Sequence, residues 1–183
     1  MIALITGASS GIGKEMAKNL ATRGVNLILV ARRTERLLAL KEEIVYNCPE
    51  IKVKTITADL SKEEQCFGLY NKVKDYKIDF LFNNAGFGLY GPFLETDLKD
   101  ELSMINVNIK AVHILTKLFL RDFAARNSGY ILNTASVAGF MAGPLLATYY
   151  ATKNYVVQLT KAIYEELRST GSKIGRASCR ERV

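Results

Sequence analysis

The sequence predicts an α/β fold in which helices cover both faces of a parallel sheet. Short apolar runs alternate with longer segments that carry apolar residues at helical spacing. A glycine-rich turn joins the first run to the first helical segment. This alternating order requires parallel strands joined by right-handed crossovers. The predicted strands are 2–6, 26–31, 52–58, 78–82 and 130–135, and the predicted helices are 11–23, 34–46, 61–75, 97–127 and 145–169.

Composition fits one globular domain and excludes several function classes. Of the 183 residues, 49% are hydrophobic and 23% are charged. The scattered cysteines, Cys48, Cys66 and Cys179, favour a reducing cytoplasm over a disulfide framework, and we expect no metal site. We expect no signal peptide, because "MIALITG" (1–7) turns from apolar to glycine-rich after five residues. We expect no membrane span, because no apolar run approaches about 20 residues. The net charge of +7 is interleaved with Glu along helical segments, so it indicates a solvated surface rather than nucleic-acid binding.

The glycine-rich turn, "TGASSGIG" (6–13), leads directly into the first predicted helix. In an open parallel sheet, ligands bind at the carboxyl ends of the strands, where this turn lies. Glycine lets the backbone approach a pyrophosphate closely, and a helix N-terminus offers free N–H groups and partial positive charge. The turn is therefore predicted to bind a dinucleotide. The cofactor-binding residues predicted here are Gly7, Ser9, Ser10, Gly11, Ile12 and Gly13.

Two arginines, Arg32 and Arg33, follow the second predicted strand. Folds that bind NAD place an Asp or Glu at this point, where it accepts a hydrogen bond from the ribose 2′-hydroxyl. Guanidinium groups suit a 2′-phosphate instead. Two arginines at a helix N-terminus also oppose the helix dipole and so favour a bound anion. The sequence therefore predicts NADP(H) rather than NAD(H).

The segment after the fourth predicted strand contains "NNAG" (83–86) and "GFGLYG" (86–91). The amides of the first motif could fix neighbouring backbone and the cofactor's ribose, or they could belong to a turn. The second motif matches GxGxxG literally, but Pro92 follows it and no helix begins there. We predict a loop.

Two adjacent tyrosines, Tyr149 and Tyr150, precede Lys153 in "YYATK" (149–153). Lys153 lies four residues after the first tyrosine and three after the second, so either could share its helical face. Ser136 ends the fifth predicted strand and faces the same carboxyl edge of the sheet. Spacing alone leaves the choice of tyrosine open.

Six motifs occur in an order and spacing that resemble the short-chain dehydrogenase/reductase family. The resemblance covers residues 1 to about 172 and implies a Rossmann-type doubly wound sheet with strand order 3-2-1-4-5. The motifs are "TGASSGIG", "ADL" (58–60), "NNAG", "VNIKA" (107–111), "NTASVAG" (133–139) and "YYATK".

The family's YxxxK pattern assigns the catalytic role to Tyr149, so Tyr150 is expected to pack. The resemblance implies that Tyr149 protonates a carbonyl oxygen as hydride arrives from the nicotinamide, while Lys153 assists the tyrosine and holds the ribose. It also implies that Ser136 orients the carbonyl and that Asn108 anchors a water relay to the lysine. The motif "VNIKA" matches the family pattern VNxxG, with Ala in place of Gly, and its asparagine is Asn108. Asn106, two residues earlier, is therefore not expected to have a catalytic role. Asp59 matches the adenine-side acid, and the remaining cofactor residues implied are Leu60, Asn84, Ala85 and Gly86.

The leading functional hypothesis is an NADP(H)-dependent oxidoreductase that acts on a small hydrophobic carbonyl or alcohol. Apolar residues around the predicted site favour such a substrate, although small pockets commonly have apolar walls. A regulator that binds NADPH without turnover would be expected to lose the tyrosine or the lysine. A sugar-nucleotide epimerase or dehydratase also uses YxxxK but tends toward GxxGxxG spacing in the first turn. His113 is expected to pack or lie at an interface, and the apolar site residues are Phe87, Leu89, Tyr90, Phe140, Met141, Leu145 and Leu146.

The C-terminal segment departs from the family pattern. After a strand-forming "SKI" (172–174), "GRASCRERV" (175–183) has three arginines and no strand pattern. We therefore predict a family domain over 1–172 that lacks the family's last two strands, and a tail over 173–183 that is foreign, out of frame or a genuine short variant. The strand 130–135 would then be an exposed apolar edge, which favours aggregation. The chain alone is expected to be poorly soluble, to bind NADP weakly and to be inactive, whereas the complete protein is expected to form a homodimer or homotetramer through 97–127 and 145–169.

Overall fold

A parallel six-stranded sheet with order β3-β2-β1-β4-β5-β6 organises the protein. The structure is a computed structural model, which describes residues 1–169 and 175–179. The strands are β1 (Ile2–Thr6), β2 (Asn26–Ala31), β3 (Val53–Thr57), β4 (Phe80–Asn83), β5 (Tyr130–Thr134) and β6 (Gly175–Cys179). The helices are α1 (Gly11–Ala21), α2 (Thr34–Asn47), α3 (Glu63–Val73), α4 (Leu98–Ile105), α5 (Val112–Ala125) and α6 (Ala147–Ser169).

Two large apolar clusters fill the space between the sheet and its helices, one on each face. Successive residues of β1 contribute to opposite clusters, because side chains alternate along a strand. Leu4 packs with Leu115 and other residues of α3 and α5, whereas Ile5 packs with Ala17 of α1 and Leu37 of α2. Strands buried on both faces need continuous apolar sequence, which is why the short apolar runs located them. The predicted order 3-2-1-4-5 is confirmed for the first five strands.

The helix predicted over 97–127 is interrupted. The chain forms α4, then a π-helical segment over Asn106–Ala111, and then α5. Asp97 caps α4 by accepting hydrogen bonds from the backbone N–H groups of Lys99 and Asp100. Apolar spacing continues through both flanking helices and therefore gives no sign of a widened turn. Such π-helical turns often lie at functional sites, and this one carries Asn108.

The sequence prediction for the C-terminal segment is wrong in one respect. Gly175–Cys179 forms a strand parallel to β5, in a register that runs from Tyr130 opposite Gly175 to Thr134 opposite Cys179. β5 is therefore an internal strand, and the exposed edge on which the prediction of poor solubility rested is covered. Backbone N–H and C=O groups make this pairing, so it does not require an alternating side-chain pattern. The strand predicted at "SKI" (172–174) lies outside the described residues.

Within 1–169 and 175–179, no helix combines the length and apolar character that crossing a membrane requires.

Candidate active site

The carboxyl ends of β1 to β5 converge on one cleft of about 470 Å³. Each strand is followed by a segment that contributes to the cleft wall, as expected for an open parallel sheet. The lining residues that the sequence predicted are Gly7, Ser9, Ser10, Gly11, Ile12, Arg32, Arg33, Asp59, Leu60, Asn84, Ala85, Gly86, Tyr149 and Lys153, together with the apolar residue Phe87.

The glycine-rich turn after β1 is closely packed on one side and open on the other. Gly7 has φ +67°, and a Cβ atom there would lie 2.8 Å from the Cα atom of Ala85. A Cβ atom at Gly13 would lie 2.5 Å from the carbonyl oxygen of Gly7. Gly11 also has a positive φ, of +54°, but nothing lies within 4 Å of the position of its Cβ atom. The turn therefore packs tightly against β4 while leaving its outer backbone open to a ligand.

The N-terminus of α1 retains unpaired hydrogen-bonding capacity. Ser10 is the N-cap residue, but its side chain makes no capping hydrogen bond, and the first turn of the helix contains no acidic residue. The first backbone N–H groups of a helix lack intrahelical partners, and the helix dipole adds partial positive charge there. This arrangement fits the pyrophosphate of a dinucleotide.

Arg33 connects the end of β2 to the glycine-rich turn. Its Nη2 atom donates hydrogen bonds to the hydroxyl oxygens of Ser9, at 3.1 Å, and Ser10, at 3.0 Å. Arg32 lines the same cleft. Both arginines therefore lie beside the turn, and the guanidinium group of Arg33 is fixed by two polar partners.

Asp59 and its neighbours form the wall of the cleft after β3. The Asp59 carboxylate accepts hydrogen bonds from the backbone N–H and the hydroxyl of Ser61. Cys66 lies behind this segment, with its Sγ atom 3.6 Å from the carbonyl oxygen of Leu60. Burial, together with the nearby carboxylates of Glu63, Glu64 and Asp59, raises the pKa of the Cys66 thiol to about 11. Cys66 is buried behind the cleft lining, and a thiol this protonated is a poor nucleophile.

The "NNAG" segment links three strands through Thr6 and Asn84. The Thr6 hydroxyl accepts hydrogen bonds from the backbone N–H groups of Asn84 and Ala85, both at 3.0 Å. The Asn84 amide donates to the Thr6 carbonyl and accepts from the hydroxyl of Thr134 on β5. These bonds fix the ends of β1, β4 and β5 relative to one another beside the cleft.

Asn108, on the π-helical segment, is buried and bonds protein partners through both ends of its amide. Its Oδ1 atom accepts a hydrogen bond from the Phe87 N–H at 3.1 Å. Its Nδ2 atom donates to the Phe87 carbonyl at 2.9 Å and to the Thr152 hydroxyl at 3.1 Å. Both side-chain N–H groups of Asn108 are therefore occupied, so in a water relay the side chain could act only as an acceptor, through the second lone pair of Oδ1.

Tyr149 and Lys153 lie on the first turns of α6 and share the cleft wall. The Lys153 Nζ atom lies 5.8 Å from the centroid of the Tyr149 ring. Lys153 is only 7% exposed, and its Nζ atom donates a hydrogen bond to the Thr134 carbonyl at 2.9 Å. Ser136 is buried immediately after β5, and its hydroxyl oxygen accepts a hydrogen bond from the Ala138 N–H at 3.2 Å. That arrangement leaves the Ser136 O–H able to donate.

Tyr150 and His113 lie away from the cleft lining. Tyr150 packs on the turn before α6, where a Cβ atom at Gly143 would lie 3.0 Å from its hydroxyl oxygen. His113 is exposed on α5, and its Nδ1 atom lies 2.6 Å from the hydroxyl oxygen of Tyr155 on α6. The residues 86–91 form a loop. All three placements agree with the sequence predictions.

Three predicted site residues, Gly13, Asn108 and Ser136, support the cleft without lining it. Several residues that do line it were not predicted. Ala31, Ala58, Thr134 and Ala135 end or follow strands, so their position at the carboxyl edge was the signal that could have found them. The other two are Gly88 and Val107.

The apolar residues predicted around the substrate differ in position. Phe87 lines the cleft, whereas Tyr90, Phe140 and Met141 are exposed. In the described part of the chain, no three His, Cys, Asp or Glu side chains cluster in a way that could hold a metal ion.

The sequence profile of the short chain dehydrogenase family matches residues 1–179. The chain belongs to this family. It is 37% identical over 174 residues to a very-long-chain 3-oxoacyl-CoA reductase of Pyrenophora tritici-repentis, covering 92% of this chain and 51% of the relative. It is 34% identical over 175 residues to an uncharacterized oxidoreductase of Staphylococcus saprophyticus, covering 94% of this chain and 74% of the relative. The chain thus spans about half the length of its fungal relative.

Solved structures of short-chain dehydrogenases share this fold. The bulky-bulky ketone specific alcohol dehydrogenase of Comamonas testosteroni superposes with a TM-score of 0.91 at 31% identity, covering 100% of this chain and 72% of its own. A Sphingobium yanoikuyae short-chain dehydrogenase in complex with NADPH gives 0.88 at 31% identity, with coverage of 98% and 71%. A Burkholderia phymatum family member in complex with NAD gives 0.90 at 31% identity, with coverage of 98% and 64%. The nicotinamide dinucleotides are therefore the cofactor class of this fold.

Proposed function

We propose that the protein is an NADP(H)-dependent oxidoreductase that interconverts a hydrophobic carbonyl compound and its alcohol. Tyr149 is the general acid in reduction and the general base in oxidation. The observation that carries the proposal is that Tyr149 and Lys153 line the same cleft as the glycine-rich turn. Residues at least 136 positions apart in the chain thereby bring a proton-transfer group and a dinucleotide cradle together.

When bound, the cofactor supplies or accepts the hydride. Tyr149 donates its phenolic proton to the carbonyl oxygen, which becomes the alcohol oxygen. The Lys153 ammonium lies beside the ring and stabilises the phenolate that remains, because opposite charges attract strongly in a poorly solvated site. Ser136 does not line the cleft itself, but it directly follows the lining residue Ala135, and we assign its O–H to orient the same carbonyl oxygen.

The preference for NADP(H) rests on Arg33 and Arg32. A guanidinium beside the turn after β1 supplies charge-assisted donors for a 2′-phosphate, and the two serine partners of Arg33 hold it in that position. The segment after β2 offers no carboxylate for a 2′-hydroxyl, since it reads "ARRTER" with its first acid at Glu35. NADPH and NAD complexes both occur among the similar structures, so this preference depends on the residues of this chain.

The substrate class rests on the apolar surroundings of the cleft. Phe87 lines it, and Tyr90, Phe140 and Met141 expose apolar surface on the loops that follow β4 and β5. An extended or bulky apolar ketone would bury this surface. The names of the relatives, a very-long-chain 3-oxoacyl-CoA reductase and a ketone-specific alcohol dehydrogenase, agree with such a carbonyl substrate.

Tyr149→Phe and Tyr150→Phe form a matched pair that tests this function. The first removes the proton donor from the cleft, and the second removes a hydroxyl that packs on the turn before α6. We expect Tyr149→Phe to lower kcat for reduction of a hydrophobic ketone by at least about 100-fold, with the Kd for NADPH changed by less than about threefold. Tyr150→Phe should retain kcat within about threefold. NADPH oxidation followed by absorbance, together with calorimetric binding, measures both quantities, and equal losses in the two variants would contradict the assignment.

A further inference from the structure

Two loops meet beside the first turn of α6. The loop after β4 places the Gly91 N–H 2.9 Å from the carbonyl oxygen of Leu145, to which it donates a hydrogen bond. Leu145 has φ +66°, in the left-handed region that costs a non-glycine residue about 1–2 kcal/mol. A leucine keeps this conformation only where its surroundings require it. The Gly91–Leu145 bond is one such constraint, because it needs the Leu145 carbonyl to point toward the loop.

A buried carboxylate fixes the far end of the same loop. Glu101, on α4, is 8% exposed, and its Oε1 atom accepts a hydrogen bond from the Thr96 hydroxyl at 2.5 Å. Gly91, Thr96, Glu101 and Leu145 surround one void of about 10 Å³ together with Thr148 of α6. We refer to Gly91, Thr96, Glu101 and Leu145 as the loop junction.

The loop junction connects to Tyr149 from two sides. Along the chain, Leu145 precedes Tyr149 by four residues, and the helix that carries the tyrosine begins at Ala147. Across the cleft, the loop passes over the tyrosine ring, where a Cβ atom at Gly88 would lie 3.3 Å from the Cδ2 atom of Tyr149. A change at the junction would therefore move the ring and its covering backbone relative to each other.

We propose that Leu145, through its left-handed backbone, and Glu101, through Thr96, are positioning residues that hold Tyr149 against the loop after β4. The inference rests on the proposed role of Tyr149, since a fixed phenol matters for proton transfer only if that phenol is the donor. The conformation of Leu145 does the positioning, and its side chain does not. Neither residue lines the large cleft, so both act through the tyrosine.

Leu145→Ile and Leu145→Gly separate backbone conformation from side-chain packing. Isoleucine keeps the side-chain volume, but β-branched residues are disfavoured at positive φ. Glycine removes the side chain but adopts positive φ freely. If conformation is decisive, the isoleucine variant should lose the junction and the glycine variant should keep it. If packing is decisive, the opposite result is expected.

Two NMR measurements on the 183-residue chain test whether the loop junction is intact, and neither requires enzymatic turnover. Exchange protection of the Gly91 amide reports the Gly91–Leu145 bond, and the nuclear Overhauser effect between the Gly88 α protons and the Tyr149 ring reports their contact. We expect Leu145→Ile to lower Gly91 protection by about 10-fold or more and to weaken the Overhauser effect, since about 1.4 kcal/mol corresponds to tenfold. Leu145→Gly should keep both within about threefold. Retention of both signals in Leu145→Ile, or loss of both in Leu145→Gly, would overturn the proposal.

Thr96→Val provides a second variant that does not alter the backbone of Leu145. Valine matches the shape of threonine but cannot donate to Glu101, so Gly91 protection and the Gly88–Tyr149 contact should both decrease. Glu101→Gln retains an oxygen that accepts from Thr96, so Gly91 protection and the Gly88–Tyr149 contact should stay at their wild-type levels. Glu101→Leu has no such oxygen, so both should decrease. Unchanged signals in both Thr96→Val and Glu101→Leu would refute the role of Glu101. The kinetics of Tyr149→Phe and Tyr150→Phe test the proposed function separately. If they contradicted the role of Tyr149, the NMR measurements would still show whether the loop junction holds the tyrosine ring.

Discussion

Arg33 bonds the glycine-rich turn, and under the proposed function it also selects the cofactor. It stands at the N-cap of α2, where its positive charge opposes the helix dipole. The hydrogen bonds to Ser9 and Ser10, which are 24 and 23 residues earlier in the chain, hold its guanidinium group over the glycine-rich turn. A bound 2′-phosphate would compensate the unfavourable position of this charge. Cofactor preference is therefore expected to depend on Arg33.

Arg33→Ala should weaken NADPH binding selectively. A hydrogen bond to a charged group contributes about 1.5–3 kcal/mol, so we expect the Kd for NADPH to rise by about 10- to 100-fold. The Kd for NADH should change by less than about threefold, because NADH lacks the 2′-phosphate. Isothermal titration with both cofactors measures the two effects. Arg32→Ala is the matched control with the same change in charge, and an equal loss for NADH in Arg33→Ala would show that the arginine serves the fold alone.

At the level of single residues, most residues that line the cleft could be predicted from the sequence, because the motifs follow strands. Tyr149, Lys153 and the glycines stand at fixed distances from strand ends, and the topology brings those ends together. The partners of Asn108 could not be predicted, since its amide bonds the backbone of Phe87, 21 residues away. The left-handed backbone of Leu145 was equally hidden, because leucine gives no local sign of positive φ.

At the level of elements, apolar patterning predicted existence and order better than boundaries. The first five strands were found to within about two residues, because most are short apolar runs and β3 alternates apolar with polar residues. The π-helical turn was missed because one widened turn leaves the flanking apolar spacing intact. β6 was missed because its sequence has no alternating apolar pattern, and the strand is defined by backbone pairing to β5.

A buried polar chain ties four elements together beneath the cleft. Asn133 of β5 accepts hydrogen bonds from the amide of Asn83 on β4 and the hydroxyl of Thr116 on α5. Its own amide donates to the hydroxyl of Thr160 on α6, which in turn donates to the Val156 carbonyl. Buried polar groups are costly unless they are paired, so these partners depend on one another.

Asn133→Ala should therefore destabilise the fold well beyond the loss of one side chain. Three buried partners would lose a hydrogen bond, and each buried unsatisfied group costs about 1–3 kcal/mol. Allowing for relaxation, we expect the free energy of unfolding to fall by about 2–4 kcal/mol in urea denaturation followed by circular dichroism. Asn47→Ala, which removes one exposed bond to the Glu43 carbonyl, should cost no more than about 0.5 kcal/mol. Similar losses in the two variants would mean that the polar chain is not a cooperative unit.

At the level of the whole molecule, α4 to α6 present a surface suited to self-association. Leu98 and Leu102 lie one turn apart on the same side of α4, and they are 67% and 50% exposed. The exposed contact between His113 and Tyr155 links α5 to α6 on their outer side. Neighbouring exposed leucines are costly in water and are commonly covered by another protein surface. We therefore retain the prediction that these helices form a dimer or tetramer interface in the complete protein.

Leu98→Lys together with Leu102→Lys should abolish this association. Burying an unpaired ammonium in an interface costs several kcal/mol, so two of them should raise the dissociation constant by at least about 100-fold. Sedimentation velocity at micromolar concentration should show a dimer or tetramer for the unmodified chain and a monomer for the double variant. Leu38→Lys is the matched control, because this leucine is 46% exposed on α2, on a different helix from the proposed interface. A monomeric unmodified chain would refute self-association of these 183 residues, and loss of assembly in Leu38→Lys as well would place the interface elsewhere.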